Sequence, residues 1–496
     1  MTNHLLALQV VIPLLSAPLC LLLGNKRNIA WLFSLWVTAV SLLISIALLY
    51  SININGSPIS YNLGGWPTPF GIEYRMDYLS SIINLIINFI AFVSILYARR
   101  SVISEINSQK IGLFYTAFLL CFTGLLGITM TGDAFNVFVF LEISSLSTYA
   151  LVAMGKDRAA LLASFRYLIM GTIGATFLLI GIGLLYVSTG TLNMADLASK
   201  MPSVFHLKTT EAGIAFIILG LSIKAAVFPM HFWLPAAYRY SPSMISAFLA
   251  GTATKVALYA LIRFIFTLFS QDNLFEKIPF ASLAMTLGLI AMFAGSLRAI
   301  RENDLRSMLA WSSVAQIGYI ILGISLVSQS GLAAAITHIF NHALIKSSLF
   351  FIAGCIVYYY GSCTLNNFRG LGKQMPWTSA AFVICGLSLI GIPLTAGFTS
   401  KWVLVKAAFD ANLWLVAGLV ILSSLLAIIY IWKFIEAAYF SPPDETITNN
   451  NDRSLPVSMS LAVWLLVILN IYFGLDTRLN VELPALAAST LLGGIQ

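Results

Sequence analysis

The sequence predicts an all-α polytopic membrane protein with about fourteen transmembrane helices. Of its 496 residues, 59% are hydrophobic and only 9% are charged, whereas soluble domains carry about 25% charged residues. The mean hydropathy is +0.91, and a soluble core could not hide this much apolar surface. A helix needs about 20 mainly apolar residues to cross a bilayer. Reading the apolar runs against their breaks gives fourteen candidate helices: 5–23, 30–50, 77–98, 111–130, 133–153, 160–187, 212–235, 243–269, 279–297, 304–327, 331–359, 377–408, 413–438 and 456–474.

Basic residues are concentrated in alternate loops between these helices. By the positive-inside rule the more basic set of loops faces the cytoplasm, which predicts that both termini lie outside it. An odd error in the helix count would scramble this asymmetry, so the asymmetry supports the count. We therefore interpret the net charge of +8 as loop charge that sets orientation, and we expect no nucleic-acid partner. The basic set contains Lys26, Arg27, Arg99, Arg100, Lys110, Lys156, Arg158, Arg239, Arg298, Arg301, Arg306, Arg369, Lys373 and Arg453, and the other set contains Arg75, Lys200, Lys208, Lys277 and Arg478.

Neither the N-terminus nor the cysteines indicate processing or a metal site. The first apolar run, "MTNHLLALQVVIPLL", lacks a basic n-region and a small-residue cleavage site. We therefore expect a retained helix and not a cleaved signal. The five cysteines are scattered, mostly within apolar runs, without a CxxC pair or a ligand cluster. They are typical of small apolar residues in a packed interior.

Predicted helices 7 and 12 are interrupted. Helix 7 contains "KAAVFPMHFWLP" and helix 12 contains "GIPLTAGFTSK"; proline removes a backbone donor and glycine loosens the chain. Each break follows the tripeptide GLS, at 220–222 and 386–388, and paired broken helices point to inverted repeats in transporters. We therefore predict two five-helix repeats, roughly 111–269 and 279–438. The alternative is a coincidental tripeptide combined with common proline kinks.

Four ionisable residues stand out within the apolar helices, where each buried charge needs a reason because it is costly. Glu142 lies in predicted helix 5, Lys224 just before the break in helix 7, Lys255 near the centre of helix 8, and Lys401 just after the break in helix 12. We expect Glu142 to pair with Lys224, because an opposite charge favours the ionised carboxylate. Such a pair can respond to a proton that moves nearby; the alternative is a structural pair that only fixes packing.

The stretch "THIFNHALIKSSLFF" places His338, His342 and Lys346 four residues apart. On an α-helix this spacing puts the three side chains on one narrow stripe. Two histidines at this spacing can bind a metal, but no third ligand stands out and Lys346 would repel a cation. A proton relay fits better, because an imidazole accepts a proton at one nitrogen and donates one at the other.

Several long motifs in these segments resemble a known family. In chain order they are "FVFLEISSLSTY", "KAAVFPMHFWLP", "SAFLAGTATKVALYALIRF", "RENDLRSMLAWSSVAQIGYIILG", "HIFNHALIKSSLFFIAG" and "GIPLTAGFTSKW". They resemble the antiporter-like subunits shared by Mrp-type multisubunit cation/proton antiporters and respiratory complex I. The resemblance covers most of the chain and is densest from about 111 to 408. Lys401 and the length near 500 residues resemble the D-type subunit of Mrp antiporters, whereas the residues after "WLP" in helix 7 depart from many members.

The resemblance implies a domain organisation and a role for each buried residue. It implies helices 1–3 in residues 1–110, a first inverted repeat of helices 4–8 in 111–270, a second of helices 9–13 in 271–440, and helix 14 with a tail in 441–496. It also implies that protons hop along a hydrated axis at mid-membrane. The residues implied to line this axis are Glu142, Lys224, Lys255, His338, His342, Lys346 and Lys401.

The function we expect is a proton-translocating subunit of a multisubunit Na⁺/H⁺ antiporter in the bacterial cytoplasmic membrane. Its expected partners are other membrane subunits, protons, Na⁺ and the lipid bilayer. No P-loop, haem or iron–sulfur ligand set is visible in the sequence, so we expect no cofactor, no metal and no redox site in this chain. The alternatives are a proton-pumping subunit of a complex I-type or hydrogenase-type redox complex, the membrane partner of an inorganic-carbon uptake complex, and a scaffold that does not conduct.

Overall fold

The computed structural model describes residues 2–23, 27–269, 279–443 and 454–493, and these ranges form a bundle of long helices. Within them, twelve helices are long and apolar enough to cross a membrane. The predicted all-α polytopic fold is confirmed, and each of the twelve overlaps one predicted helix. Their bounds are Thr2–Leu22, Arg27–Asn55, Tyr78–Glu105, Ile111–Met130, Ala134–Ala153, Ala159–Thr189, Ser243–Leu268, Phe280–Arg301, Leu305–Ser325, Gln329–Tyr360, Trp414–Phe440 and Val457–Leu475.

The two remaining predicted helices, 7 and 12, are each made of two shorter helices. The first pair is Lys208–Lys224 and Leu234–Tyr240, and the second is Pro376–Ile390 and Ala396–Asp410. Left-handed backbone marks both breaks, at Ala226 (φ 55°) in the first and at Leu394 (φ 70°) in the second. Counting each pair as one crossing gives the fourteen crossings expected from the sequence.

Several shorter elements were not predicted. Strands Ile59–Asn62 and Glu73–Met76 form an antiparallel hairpin in which Ile59 pairs with Met76. Helices Met194–Val204, Leu365–Phe368, Leu371–Gln374 and Leu483–Gly493 lie between or after the long helices. The long helix Ser243–Leu268 is itself interrupted at Thr252 (φ −123°, ψ −58°) and ends in a π-helical turn, Phe264–Leu268.

Helix Gln329–Tyr360, here called the histidine helix, forms the centre of the bundle. Every residue from Gly331 to Ile356 is buried, and a helix that is buried on all faces must be surrounded by other helices. It packs against the helices Leu305–Ser325, Ser243–Gly251 and Ala396–Asp410. The predicted stripe of His338, His342 and Lys346 therefore lies in the protein interior and not against lipid.

Contacts between loops divide the bundle into two ends. At the hairpin end, Tyr74 of the hairpin bridges to Thr131 and Asp77 pairs with Arg263. At the other end, here called the basic end, the side chain of Glu105 accepts a hydrogen bond from the Ser243 amide, and Arg306 donates to the carbonyls of Arg239 and Ser241. The loops with most of the basic residues meet at this second end.

A backbone clasp recurs in the two halves of the chain. Asp133 caps helix Ala134–Ala153 and bridges to Asn193, which caps a short helix of its own. Asp304 caps Leu305–Ser325 and bridges to Thr364, which also caps a short helix. The same number of positions separates the partners in both clasps, and the chain crosses the bundle five times between them. The clasps consequently lie at opposite ends, an arrangement that supports the proposed inverted repeats.

Candidate functional site

Lys224 and Glu142 lie together at the first broken helix. The Nζ of Lys224 is 3.5 Å from Oε1 of Glu142, and it donates to the hydroxyls of Ser145 at 2.7 Å and Tyr149 at 3.4 Å. The lysine is buried, while a quarter of the Glu142 side chain is exposed. The last turn of Lys208–Lys224 positions the ammonium, and the next residues leave the helix. The break thus fixes a charge pair inside the bundle.

A small cavity of about 30 Å³ separates Lys224 from helix Ala253–Arg263, which carries Lys255. Its lining includes Ser145, Thr148 and Lys224 on one side and Ala257 on the other. A space of this size with polar groups on its wall has room for about one or two water molecules. The cavity therefore offers a place for water between the charge pair and the helix that carries Lys255.

Lys255 is 1% exposed and has no carboxylate among its described hydrogen-bond partners. Its ammonium donates to the carbonyl of Ala250, in the turn before the interruption at Thr252. Its second contact is the hydroxyl of Thr254, at 3.4 Å. A buried ammonium held only by a carbonyl and a hydroxyl is expensive, which sets Lys255 apart from a paired structural lysine.

His338 has a partner on both sides of its ring. Nδ1 lies 2.9 Å from the Ser400 hydroxyl, and Nε2 lies 2.9 Å from Oε1 of Gln316. Since the amide oxygen of Gln316 can only accept, Nε2 is the donor in that contact. The Ser400 hydroxyl that faces Nδ1 also lies 3.2 Å from the carbonyl oxygen of Gly397. The imidazole of His342 stacks parallel to that of His338, with centroids 5.8 Å apart.

Among the residues that the structure describes, neither ring nitrogen of His342 has a hydrogen-bond partner, although the residue is fully buried. Buried polar atoms almost always find a hydrogen-bond partner, so an imidazole with two unpaired nitrogens is unusual in a protein interior. His342 lies one helical turn from both His338 and Lys346 on the histidine helix, so it occupies the middle of the predicted stripe.

Lys346 and Lys401 are held by backbone carbonyls and serines. Lys346 donates to Leu309 O at 2.7 Å and to the hydroxyl of Ser312. Lys401 donates to Leu389 O at 2.9 Å and Ile390 O at 2.8 Å. Both of these carbonyls belong to the end of helix Pro376–Ile390, so the second break supplies the acceptors that hold the Lys401 ammonium.

Tyr319 connects Lys401 to the histidines. The Lys401 ammonium lies 5.1 Å from the centre of the Tyr319 ring, within the range of a cation–π contact. The same ring lies 5.6 Å from that of His338. Ser400, the partner of His338, is also the neighbour of Lys401 in the chain. These contacts place Lys401 and His338 in one cluster.

Six of the seven predicted residues are buried and Glu142 is partly exposed, but the residues between them were missed by sequence reasoning. These are Ser145, Gln316, Tyr319 and Ser400. A usable signal was present for one of them, because Gln316 is an amide in the apolar run "WSSVAQIGYIILG". Among the described residues, no group of three or more His, Cys, Asp or Glu side chains is placed to hold a metal ion.

Residues 131–427 match the family model described as NADH:quinone oxidoreductase/Mrp antiporter, TM. This match covers more than half of the chain and includes all seven residues. The chain belongs to this family. It is 41% identical over 443 residues to the N subunit of the NADH-quinone oxidoreductase of Desulforudis audaxviator, covering 88% of this chain and 87% of the relative.

Members with antiporter names are similar over the same length. The chain is 30% identical to the D subunit of the Na⁺/H⁺ antiporter of Alkalihalophilus pseudofirmus, covering 90% of this chain and 88% of the relative. Its fold matches a chain of the Mrp complex from Dietzia with a TM-score of 0.90 and 26% identity, covering 99% of this chain and 98% of that chain. The partners of a chain with this fold are other membrane subunits.

Proposed function

We propose that this chain conducts protons across the middle of the membrane along its buried lysines and histidines, as one subunit of a cation/proton antiporter. The observation that carries the proposal is an imbalance of charge. Four lysines and two histidines are buried in one region, and Glu142 is the one carboxylate in the set of seven. The relatives support an antiporter-type or complex I-type subunit.

The physical argument is that packing alone does not favour such a set. A buried ion pair is often no better than well-packed apolar side chains of the same volume, and an unpaired buried ammonium is worse. Side chains with this cost in a membrane interior usually mark an ion or proton pathway. Carbonyls, hydroxyls and water accept hydrogen bonds from both the neutral amine and the charged ammonium. A lysine held by these groups can therefore gain or lose a proton without losing its partners.

The proposed route follows the contacts. A proton that arrives near Glu142 weakens its hold on Lys224, and Lys224 passes a proton through the small cavity toward Lys255. His342 then connects Lys255 to His338 and Lys346, and Tyr319 and Ser400 connect this centre to Lys401. The breaks in both broken helices place Lys224 and Lys401 in the interior of the bundle, where the route needs them.

The orientation is part of the proposal. Most basic loop residues meet at the basic end, and the positive-inside rule places that end in the cytoplasm. Both termini and the hairpin then lie outside the cytoplasm in a bacterial cytoplasmic membrane. Cysteine labelling of inside-out and right-side-out vesicles, with a cysteine in the hairpin, would show which side the hairpin faces.

Substitution of the charge pair tests the route. Glu142→Ala and Lys224→Ala, each in the assembled complex, should abolish proton-coupled transport without loss of assembly. Lys208→Ala is the matched control, because Lys208 also pairs with a glutamate at 2.7 Å but is almost fully exposed at the surface. Full transport in either variant of the buried pair would overturn the proposal, and so would equal loss in the control.

A second experiment separates the antiporter from the scaffold. If the chain is only a scaffold, His338→Ala combined with Lys346→Ala should leave transport unchanged. If protons use the centre of the bundle, the double variant should lose transport while the complex still assembles. Reconstituted vesicles with an internal pH dye give the readout in both cases.

The transported cation and the driving force are the finer part of the proposal. We propose Na⁺ as the cation, supported by the Na⁺/H⁺ antiporter name of the Alkalihalophilus relative. The oxidoreductase name of the 41% identical relative supports the redox-driven alternative. Purifying the complex decides between them: hydrophilic iron–sulfur subunits would overturn the antiporter assignment, and acidification that responds to Na⁺ but not K⁺ would support it.

A further inference from the structure

A second polar stripe lies on helix Ala253–Arg263. Lys255, Tyr259 and Arg263 are four residues apart, so their side chains follow one face of the helix with about 6 Å between successive positions. Lys255 is 1% exposed and Tyr259 is 3% exposed. The proposed function uses Lys255 and leaves the other two residues without a role. The stripe runs from the centre of the bundle to the hairpin end.

A cleft of about 180 Å³ opens at the hairpin end over this stripe. Its walls carry charges of both signs from the hairpin, Glu73 and Arg75, and its lining also includes Tyr259, Arg263 and Thr267. A cleft of this size holds several water molecules. Water can thus approach the stripe to within one helical turn of Lys255.

Asp77 and Arg263 form a two-contact ion pair in the wall of the cleft. The guanidinium NH1 and NH2 groups lie 2.6 and 2.7 Å from the two carboxylate oxygens, and the side chains are 18% and 13% exposed. Burial favours the neutral carboxyl, but Arg263 outweighs burial and holds the pKa of Asp77 well below its usual range. The pair therefore stays charged at physiological pH and holds Arg263 against Tyr259.

The hydroxyl of Tyr259 joins the cleft to the interior. It donates to Thr129 O at 2.9 Å, and Arg263 NH2 lies 3.4 Å from it. A hydroxyl can accept one hydrogen while it releases its own, so a proton can pass through it without a net change. Lys255 at present donates toward Ala250, but its flexible four-carbon stem allows the ammonium to turn toward the Tyr259 level.

We propose that this cleft is the aqueous access by which protons reach or leave Lys255 from the hairpin end, with the Tyr259 hydroxyl as the relay and the Asp77–Arg263 pair as its positioning element. The inference rests on the proposed function. It adds an opening at the hairpin end that leads to Lys255 and does not involve the two broken helices.

The relay is tested by Tyr259→Phe, which removes one hydroxyl and keeps the ring. Tyr238→Phe is the matched control, because the Tyr238 hydroxyl is equally buried and also donates to a carbonyl, Leu249 O, at 3.1 Å. We expect Tyr259→Phe to slow proton transport at least about tenfold, in line with the loss of a positioned proton-transfer group. The control should stay within about twofold. Equal rates in the two assembled variants would overturn the relay.

The opening is tested with a cysteine in the cleft. Two cysteine variants are treated with a membrane-impermeant methanethiosulfonate. In Thr267→Cys the cysteine lines the cleft, and in Ser203→Cys it is exposed at the end of the short helix Met194–Val204. The native cysteines are all buried. We expect both variants to react from the same side of the membrane and only Thr267→Cys to lose transport. No reaction at Thr267→Cys, reaction from the opposite side, or reaction without loss of transport would each overturn the proposal.

Lys224→Ala, measured in the same preparation, distinguishes failure of the cleft assignment from failure of the proposed proton route. If Lys224→Ala abolishes transport while labelled Thr267→Cys transports normally, the cleft assignment fails and the proton route stands. If both variants transport normally, the chain does not conduct protons and the proposed function fails.

Discussion

The Asp77–Arg263 pair gives a prediction whose size follows from the structure. At a charge separation of about 4 Å and an effective dielectric constant of about 20, the attraction is about 4 kcal/mol. Removing one partner of such a buried pair typically costs about 3–5 kcal/mol, because the other charge stays behind. Asp77 also caps helix Tyr78–Glu105 through Ser80 N. Asp77→Asn removes the carboxylate charge and keeps the helix cap, because asparagine caps a helix as well as aspartate does. The variant therefore measures the effect of the charge alone.

We therefore expect Asp77→Asn and Arg263→Gln each to lower the free energy of unfolding by about 3–5 kcal/mol. The double variant should be destabilised by clearly less than the sum, because its two amides leave no unpaired charge. Denaturant unfolding of the purified chain in detergent, followed by tryptophan fluorescence, measures all four proteins. Additive effects in this cycle would refute the reasoning.

A control and the pH dependence sharpen this prediction. Asp304→Asn keeps the cap on Ser307 N. It loses a 4.0 Å contact with the half-exposed Arg239 and changes a weak 3.8 Å contact from the Cys363 thiol, so it should cost less than about 1 kcal/mol. The pKa of Asp77 is depressed in the folded protein. Its stabilisation is thus complete above the ordinary carboxyl pKa of about 4 and is lost as the pH falls below that value. Asp77→Asn should remove this part of the acid sensitivity.

Two further predictions concern the second break and the histidines. Gly397→Ala should destabilise the fold by about 1–3 kcal/mol, because the added methyl would overlap the carbonyl of Ser388; Gly418→Ala, where the methyl meets open space, should be neutral or slightly stabilising by thermal unfolding. His338→Leu should cost about 1–3 kcal/mol more than His342→Leu, because it takes the hydrogen-bond donor away from the buried Oε1 of Gln316, whereas the His342 ring has no hydrogen bond to lose among the described residues. Both histidine variants should slow transport in vesicles, and equal stability losses would contradict the observed hydrogen bonds.

The long helices were predictable because, in a chain of this composition, an apolar run of about 20 residues is stable as a membrane-spanning helix. The breaks were predictable from Pro229 and Pro393. The hairpin Ile59–Asn62 and Glu73–Met76 was not, because its strands are four residues each and lie in a polar, glycine-rich loop. Its position depends on the surrounding helix ends, which no local pattern reports.

At the candidate site, the useful sequence signal was the small number of charged residues within the apolar helices. Glu142 is the one carboxylate near the middle of a predicted helix, so its pairing with Lys224 across 82 positions could be expected from charge alone. The partners of His338 could not be expected in this way, since Gln316 and Ser400 are 22 and 62 positions away. Neutral polar groups are common in the helices, and their pairing depends on how the helices rotate against one another.

The two backbone clasps bear on how the chain enters a membrane. Each is made of a capping side chain and a single backbone bridge, and none of the four bridged residues is basic. The same kind of clasp therefore occurs at the hairpin end, which has few positive charges, and at the basic end, which has many. Because loop arginines and lysines set the direction of insertion, we expect a change of a few of them to alter the orientation of a half without breaking its clasp.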